Sequence, residues 1–140
     1  RETSETHPWL MIRDDAATLL GFARAAPWKS RTAYRSATEI SVYIHPEHRG
    51  RGLGRRLYDV LFTLLERQGY VTVLAGITLP NPASVRLHES CGMTQVAALD
   101  HIGWKFDAWY TVGYWQRRLR GLDEPPPPRR SVSDAWSDDQ

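Results

Sequence analysis

A mixed α/β domain, with strands first and alternating strands and helices after them, is predicted by three stretches of this 140-residue sequence. Ile40, Val42 and Ile44 alternate with Ser41 and Tyr43, which is the period of a strand, and His45-Pro46 stops it. From Arg55 the period changes: Leu57, Tyr58, Val60, Leu61, Leu64 and Leu65 recur at helical spacing, and Gly69 ends the run. Val71 to Ile77 is a β-branched run suited to a buried strand. After it, Asn81-Pro82 supplies a cap and a first helical residue for a short helix to Ser90. The remaining elements follow the same logic. Trp9 to Arg13 and Thr18 to Ala26 read as a hairpin across Asp14-Asp15. Met93 to Leu99 and Tyr110 to Leu119 read as two further strands, separated by a loop holding Gly103, Trp104, Phe106 and Trp109.

Composition narrows the function classes. With 41% hydrophobic and 24% charged residues the chain can build one core. A net charge of +2 is too small for a nucleic-acid footprint, and Arg117-Arg118 and Arg129-Arg130 read as solvated surface. The lone Cys91 rules out an internal disulfide or a cysteine metal cluster and reads as a small apolar residue at a helix end. No metal site is expected. No apolar run approaches the roughly 20 residues that span a bilayer, and residues 1–7 lack a signal-peptide core, so a cytoplasmic location is expected. From Glu124 four prolines, two arginines and a Ser/Asp mixture leave little to bury, so residues 121–140 are expected to be a disordered tail.

Glycines at 50, 52 and 54 lie between a strand and a helix. Glycine allows sharp turns and close approach, and free N–H groups at a helix start favour an anion. Two readings stand: a plain structural turn, or a cradle for phosphate. There is no Gly-Lys-Ser/Thr ending for a nucleotide-hydrolysing loop. Nor does an acidic residue end the next strand to hold a ribose. If the loop holds a ligand, that ligand is a phosphate-bearing cofactor that needs no metal.

Val42 to Gly54, Val-Tyr-Ile-His-Pro-Glu-His-Arg-Gly-Arg-Gly-Leu-Gly, resembles motif A of the GNAT acetyltransferases, with Arg49, Gly52 and Gly54 at the motif positions. Leu79 to Glu89 with Gly92-Met93 resembles the family's later helix beside the pantetheine arm. Pro27 to Tyr34, Ser84 to Glu89 and Val112 to Gln116 are similar to the phosphinothricin N-acetyltransferase group. The resemblance covers about Pro8 to Leu119 and implies a mixed, mostly antiparallel sheet with a splayed central strand pair and flanking helices. It further implies an acetyltransferase domain over residues 1–120 that lacks the family's first strand and first two helices.

What the resemblance implies can be stated residue by residue. Acetyl-CoA is the co-substrate and a small amine the acceptor. Val42, Tyr43 and Ile44 hold the pantetheine by backbone pairing, and the N–H groups of Gly50, Arg51, Gly52, Leu53, Gly54 and Arg55 hold the pyrophosphate. Asn81 contacts the pantetheine, caps its helix, or does both. Glu39 takes a proton from the attacking amine, and His88 stands where relatives carry a tyrosine that protonates the leaving thiolate. Lys29, Arg31 and Tyr34 hold an acidic amino-acid analogue, for which a guanidinium fork suits a carboxylate. Trp104, Phe106, Trp109, Tyr110 and Trp115 read first as core and second as a wall of the acceptor pocket. A homodimer is expected by analogy. The competing readings are acetylation of a protein or peptide amine and an acyl-CoA-binding module without turnover.

Overall fold

The structure, a computed structural model, describes residues 5–138. Strands β1 (Trp9–Arg13), β2 (Leu19–Pro27) and β3 (Ala37–Ile44) form an antiparallel meander, with a single 3₁₀ turn at Thr32–Tyr34 before β3 and another at Pro46–His48 after it. Helix α1 (Leu53–Gln68) follows, then β4 (Thr72–Thr78), α2 (Pro82–Ser90), β5 (Thr94–Lys105), β6 (Ala108–Arg118) and α3 (Val132–Ser137). The six strands lie in the order β1-β2-β3-β4-β6-β5, and only β3 and β4 run parallel.

Alternation along the strands decides which face is covered. Ala23, Ala25, Ile40, Val73, Ala75, Ile77 and Trp115 point to one face and are buried there under Leu57, Tyr58, Leu61 and Leu65 of α1. Full burial of one such aliphatic side chain contributes about 1.5–3 kcal/mol, so this layer dominates stability. The opposite face carries Phe22, Glu39, Tyr43, Gly76 and Tyr114, all partly or largely open to solvent.

Two sequence expectations are corrected. The aromatic stretch between the last two strands is strand, not loop: β5 and β6 pair out to Lys105↔Ala108, closed by Phe106 and Asp107 with φ of 49° and 57°. Two consecutive residues at positive φ match the twist of a tight hairpin, which the absence of an Asn-Gly or Asp-Gly signal conceals. Trp104, Phe106 and Trp109 are 58%, 86% and 56% exposed, so none of them is core, whereas Trp115 is buried and donates its indole N–H to Glu89.

The second correction concerns the carboxyl-terminal segment. Residues 121–138 lie against the domain, and Val132 and Ala135 are fully buried beside α1. Ser131 caps α3 by accepting the N–H of Asp134, the Arg130 N–H reaches the Gln68 carbonyl at 2.8 Å, and the Val132 N–H reaches Glu5 at 2.9 Å. Average composition hides this because two small apolar residues, correctly spaced, suffice to seat a short helix. The arginine pairs are also engaged rather than merely solvated. Arg117 donates to the Cys91 carbonyl and lies over Phe62, and Arg129 lies over Tyr70. Cys91 itself is buried at the end of α2, as expected of a small apolar residue.

Because Val132 alone is worth about 1.5–3 kcal/mol when buried, truncation after Gly121 is expected to lower the thermal midpoint by about 5 °C or more. A midpoint unchanged in calorimetry would return this segment to the status of a tail.

Candidate active site

The parallel pair β3–β4 is joined at only three rungs: Ala37↔Thr72, Thr38↔Val73 and Glu39↔Leu74. Beyond them β3 stays paired to β2 up to Ile44, and β4 stays paired to β6 up to Thr78, so the two strands part. The His45 N–H bonds to Leu20, and the Ala25 N–H bonds to Pro8. By strand alternation the amides of Tyr43 and Ser41 therefore face β2, while those of Val42 and Ile44 face the gap; the Ile40 N–H, also directed toward β4, is spent on the Leu74 carbonyl at the last rung. The Leu79 N–H bonds to Thr111, which likewise turns the amides of Gly76 and Thr78 into the gap from the other side. Two rows of strand amides thus line an open cleft. Tyr43 is the exception among the expected pantetheine residues: its backbone is used by β2, and its ring stacks on Phe22 at 5.6 Å.

The glycine loop closes one end of this cleft. Gly50 and Gly52 have φ of +78° and +75°, and a Cβ built at either meets no atom within 4 Å. Space is therefore open beside a backbone held in a conformation that costs other residues energy. Gly52 is the cap of α1, and Arg56 makes the first intrahelical bond, to Gly52. The N–H groups of Leu53, Gly54 and Arg55 have no carbonyl before them in the helix. Gly54 is needed for a different reason: a Cβ there would stand 3.0 Å from Leu87 on α2 and 3.8 Å from Ile44. Arg49, Arg51 and Arg55 are exposed around the loop, and Arg51 donates to His48 at 2.8 Å. This open cradle of N–H groups and cations fits a pyrophosphate. Asn81 caps α2 through its side-chain oxygen, which accepts the Ser84 N–H, so any further contact falls to its NH₂ group.

Glu39 stands at the last rung before the strands part. Its carboxylate hangs over Gly76, where an added Cβ would be 3.5 Å from Glu39 Oε2 and 3.2 Å from the Tyr114 ring. Trp28 meets Tyr114 edge-on at 5.5 Å, and the Lys29 ammonium sits 4.9 Å above Trp28. Burial raises the Tyr114 hydroxyl's pKa, and the Glu39 charge adds to this. Glu39, Gly76, Tyr114, Trp28 and Lys29 therefore share one corner of the open face, while Arg31 and Tyr34 are exposed further along the loop that begins at Trp28. Gly76 and Tyr114 are additions to the sequence reading. Tyr114 lies inside a run already singled out, but which face it takes depends on the β4–β6 register.

His88 is elsewhere. It is 4% exposed on the helical side of the sheet, with Nδ1 2.7 Å from the Ser84 carbonyl and Nε2 2.9 Å from the Tyr58 hydroxyl. A carbonyl only accepts, so Nδ1 carries the proton and Nε2 accepts from Tyr58. Burial lowers the His88 pKa, partly offset by the Ser84 bond, and raises the Tyr58 pKa far above its ordinary value. The ring is thus neutral, and both nitrogens are filled. The expected pair Glu39 and His88 does not form one cluster, because the two lie on opposite faces of the sheet.

Two other features are separate from this site. His45, Glu47 and His48 bring ligand-type atoms within 4.8 Å of one another. However, both imidazoles accept N–H donors at Nδ1, from Glu47 and Arg51, which leaves the proton on Nε2. Metal-binding histidines show the opposite polarity, with the second nitrogen donating. A groove of about 500 Å³ bordered by Asp59, Glu66, Arg67 and Arg117 holds none of the residues above. Among the described residues, no helix is long and apolar enough to cross a membrane.

The titration of His88 has a sign that can be tested. Since its folded pKa lies below the ordinary 6.5, the unfolded chain takes up the proton first as pH falls. Stability is therefore complete above that pH and declines below it, towards the folded pKa. His7, also lowered by burial and then by Arg129, acts in the same direction. Urea midpoints are expected to fall from pH 7 to pH 5, with a shallower fall in His88→Gln. Tyr58→Phe, which leaves a buried acceptor unmatched, is expected to cost about 1–3 kcal/mol at pH 7.

Comparison with known proteins gives a consistent result. The acetyltransferase (GNAT) family model matches residues 1–93. A phosphinothricin N-acetyltransferase of Streptomyces viridochromogenes is 42% identical over 129 residues, covering 92% of this chain and 69% of the relative. An L-methionine sulfoximine/L-methionine sulfone acetyltransferase of Salmonella typhimurium is 36% identical over 110 residues, covering 79% and 64%. The crystal structure of a phosphinothricin acetyltransferase from Sinorhizobium meliloti in complex with acetyl-CoA superposes with a TM-score of 0.82 at 30% identity, covering 86% of this chain and 66% of that one. The chain thus spans about two thirds of the length of these relatives. With the parted strands and open glycine cradle in place, the chain belongs to the GNAT family of acetyl-CoA-dependent acetyltransferases.

Proposed function

We propose that this chain carries the cofactor-binding and catalytic part of an N-acetyltransferase that moves the acetyl group of acetyl-CoA to the amino group of a small amino-acid-like acceptor, of the phosphinothricin or methionine sulfoximine type. The observation that carries this reading is the cleft between β3 and β4, ending in the open glycine cradle and flanked by Glu39. Acetyl-CoA supplies the acetyl thioester. Val42 and Ile44 present backbone partners to its amide arm, and the N–H groups from Gly50 to Arg55 receive its pyrophosphate. Asn81 offers its NH₂ group beside the same cleft.

An amine acceptor arrives mostly protonated at neutral pH, and Glu39 takes the proton that frees its lone pair. The backbone N–H of Gly76, the first on β4 past the last rung, supports the developing oxyanion. Lys29 and Arg31, with Tyr34, supply cations and a hydroxyl for the acceptor's acidic group. The same positive loop disfavours the basic tail of a protein substrate. His88 enters this reading as the tie between α2 and α1, which keeps Leu87 against Gly54, and the thiolate takes the second proton, the one the attacking nitrogen gives up as the amide forms. A cytoplasmic homodimer completes the proposal.

The test is thiol release from acetyl-CoA with phosphinothricin, methionine sulfoximine, methionine sulfone and a basic peptide, with acetyl-CoA binding followed by calorimetry. Turnover confined to the amino-acid analogues is expected. Turnover of the peptide alone would overturn the acceptor assignment, and binding without turnover would leave a cofactor-binding module. Glu39→Gln is expected to lower kcat about 10²-fold or more at pH 7 with acetyl-CoA affinity unchanged. His88→Gln is expected to lower stability more than kcat. A kcat loss as large as that of Glu39→Gln, in a folded His88→Gln protein, would restore His88 as the acid.

A further inference from the structure

The loop from Trp28 to Ser36 carries Lys29, Arg31 and Tyr34, and it has two fastenings. At its start Trp28 rests on Tyr114. At its end the Ser36 carbonyl accepts the N–H groups of Val71 and Thr72, at 2.9 and 3.2 Å. Between these points, among the described residues, the loop's backbone holds itself by single-turn bonds, from the Tyr34 N–H to Arg31 and from the Arg35 N–H to Thr32, at 3.0 and 3.1 Å. The Arg35 carbonyl at its last turn is met from outside: Arg129 donates to it from the carboxyl-terminal segment.

Arg129 is itself held firmly. Its guanidinium lies 3.7 Å from the centroid of Tyr70, a fully buried ring whose hydroxyl donates to the Thr6 carbonyl at 2.7 Å. On the far side of Arg129 the segment is anchored by groups that do not involve the loop. These are the Arg130 N–H on Gln68, the Arg130–Asp138 ion pair at 2.9 Å, and the buried Val132 and Ala135. A cation pinned on a core aromatic therefore fixes the last turn of a loop whose first residues, Trp28 and Lys29, stand at the Glu39 corner.

We propose that Arg129 is a positioning residue for the acceptor, acting through the Arg35 carbonyl on the loop that bears Lys29, Arg31 and Tyr34. The carboxyl-terminal segment from Arg129 to Ser137 is the strap that delivers it. This inference rests on the acceptor reading above for its kinetic consequence but not for its structural one. Loss of the strap contact loosens the loop and leaves the β3–β4 cleft and the glycine cradle untouched, because neither contacts Arg129.

The experiment compares the full chain with Arg129→Ala, using phosphinothricin as acceptor and amide hydrogen exchange as a second readout. Arg129→Ala is expected to raise the phosphinothricin KM about tenfold or more, with kcat and acetyl-CoA affinity within about twofold, since the loosened loop weakens its hold on the acceptor's acidic group, on the scale of a hydrogen bond to a charged group, and leaves the reacting atoms in place. The Tyr34 and Arg35 amides are expected to exchange faster while those of α1 do not. Unchanged exchange at these two amides would overturn the proposal whatever the kinetics, and so would an equal weakening of acceptor and acetyl-CoA. If the wild-type chain acetylates no amine, the functional reading fails, and the exchange comparison still decides the strap. Should Arg129→Ala fail to fold, Arg129→Lys, which keeps a cation over Tyr70 but loses the guanidinium fork, is expected to show the same exchange pattern.

Discussion

The parting of β3 from β4 after the Glu39↔Leu74 rung is the constraint on which the rest of the site depends. Strand amides removed from water must find partners, and a parallel pair normally provides them. Here each strand is committed to an antiparallel neighbour along its length, β3 to β2 and β4 to β6, and each pair keeps its own twist. Val42, Ile44, Gly76 and Thr78 are left with amides directed into a cleft. Such amides bind water or an extended ligand that carries amides of its own, and a pantetheine arm is that kind of ligand.

The helices keep the cleft open. Helix α1 starts at the end of the loop that follows β3, and α2 starts just after β4, so both amino-terminal ends border the same opening. Gly54 lets α2 approach closely, because a Cβ there would crowd Leu87 at 3.0 Å. The bond from Tyr58 to His88 ties the two helices one turn deeper, in a region where burial keeps both groups neutral. A buried neutral pair of this kind contributes a modest net energy, but removal of one member strands the other. That asymmetry suits a tie whose purpose is alignment.

Much of this was legible in the sequence where local chemistry decides the outcome. The strand alternation at Ile40 to Ile44, the helical spacing from Leu57 to Leu65 and the Asn81-Pro82 start all appear as read, because each signal is confined to one element. The glycine loop was legible as a turn or phosphate cradle from its place between a strand and a helix, and motif resemblance added its cofactor and Glu39. What sequence reasoning missed depends on pairing between distant elements. Tyr43 faces β2 because of the register set by Leu20 and His45, and the same residue one position along would have faced the cleft. Tyr114 joins Glu39 because β6 pairs with β4 in a register that places Gly76 opposite it. The hairpin at Phe106-Asp107 places a phenylalanine at its first positive-φ position, where Gly, Asn or Asp is usual, and α3 is seated by Val132 and Ala135 within a stretch whose average composition argues against any structure.

The same dependence on pairing explains why the two expected catalytic residues separate. On β3, odd-numbered side chains face away from α1, so Glu39 is on the open face by parity alone. His88 lies on α2 one turn after Ser84, on the side that meets α1, so its ring enters the helical layer. A tyrosine at this position would carry its hydroxyl beyond the reach of an imidazole, whereas the shorter histidine is caught between Ser84 and Tyr58. Compatible proton chemistry alone therefore does not place the ring at the cleft. Reach decides which groups the proton can meet, and here it meets a backbone carbonyl.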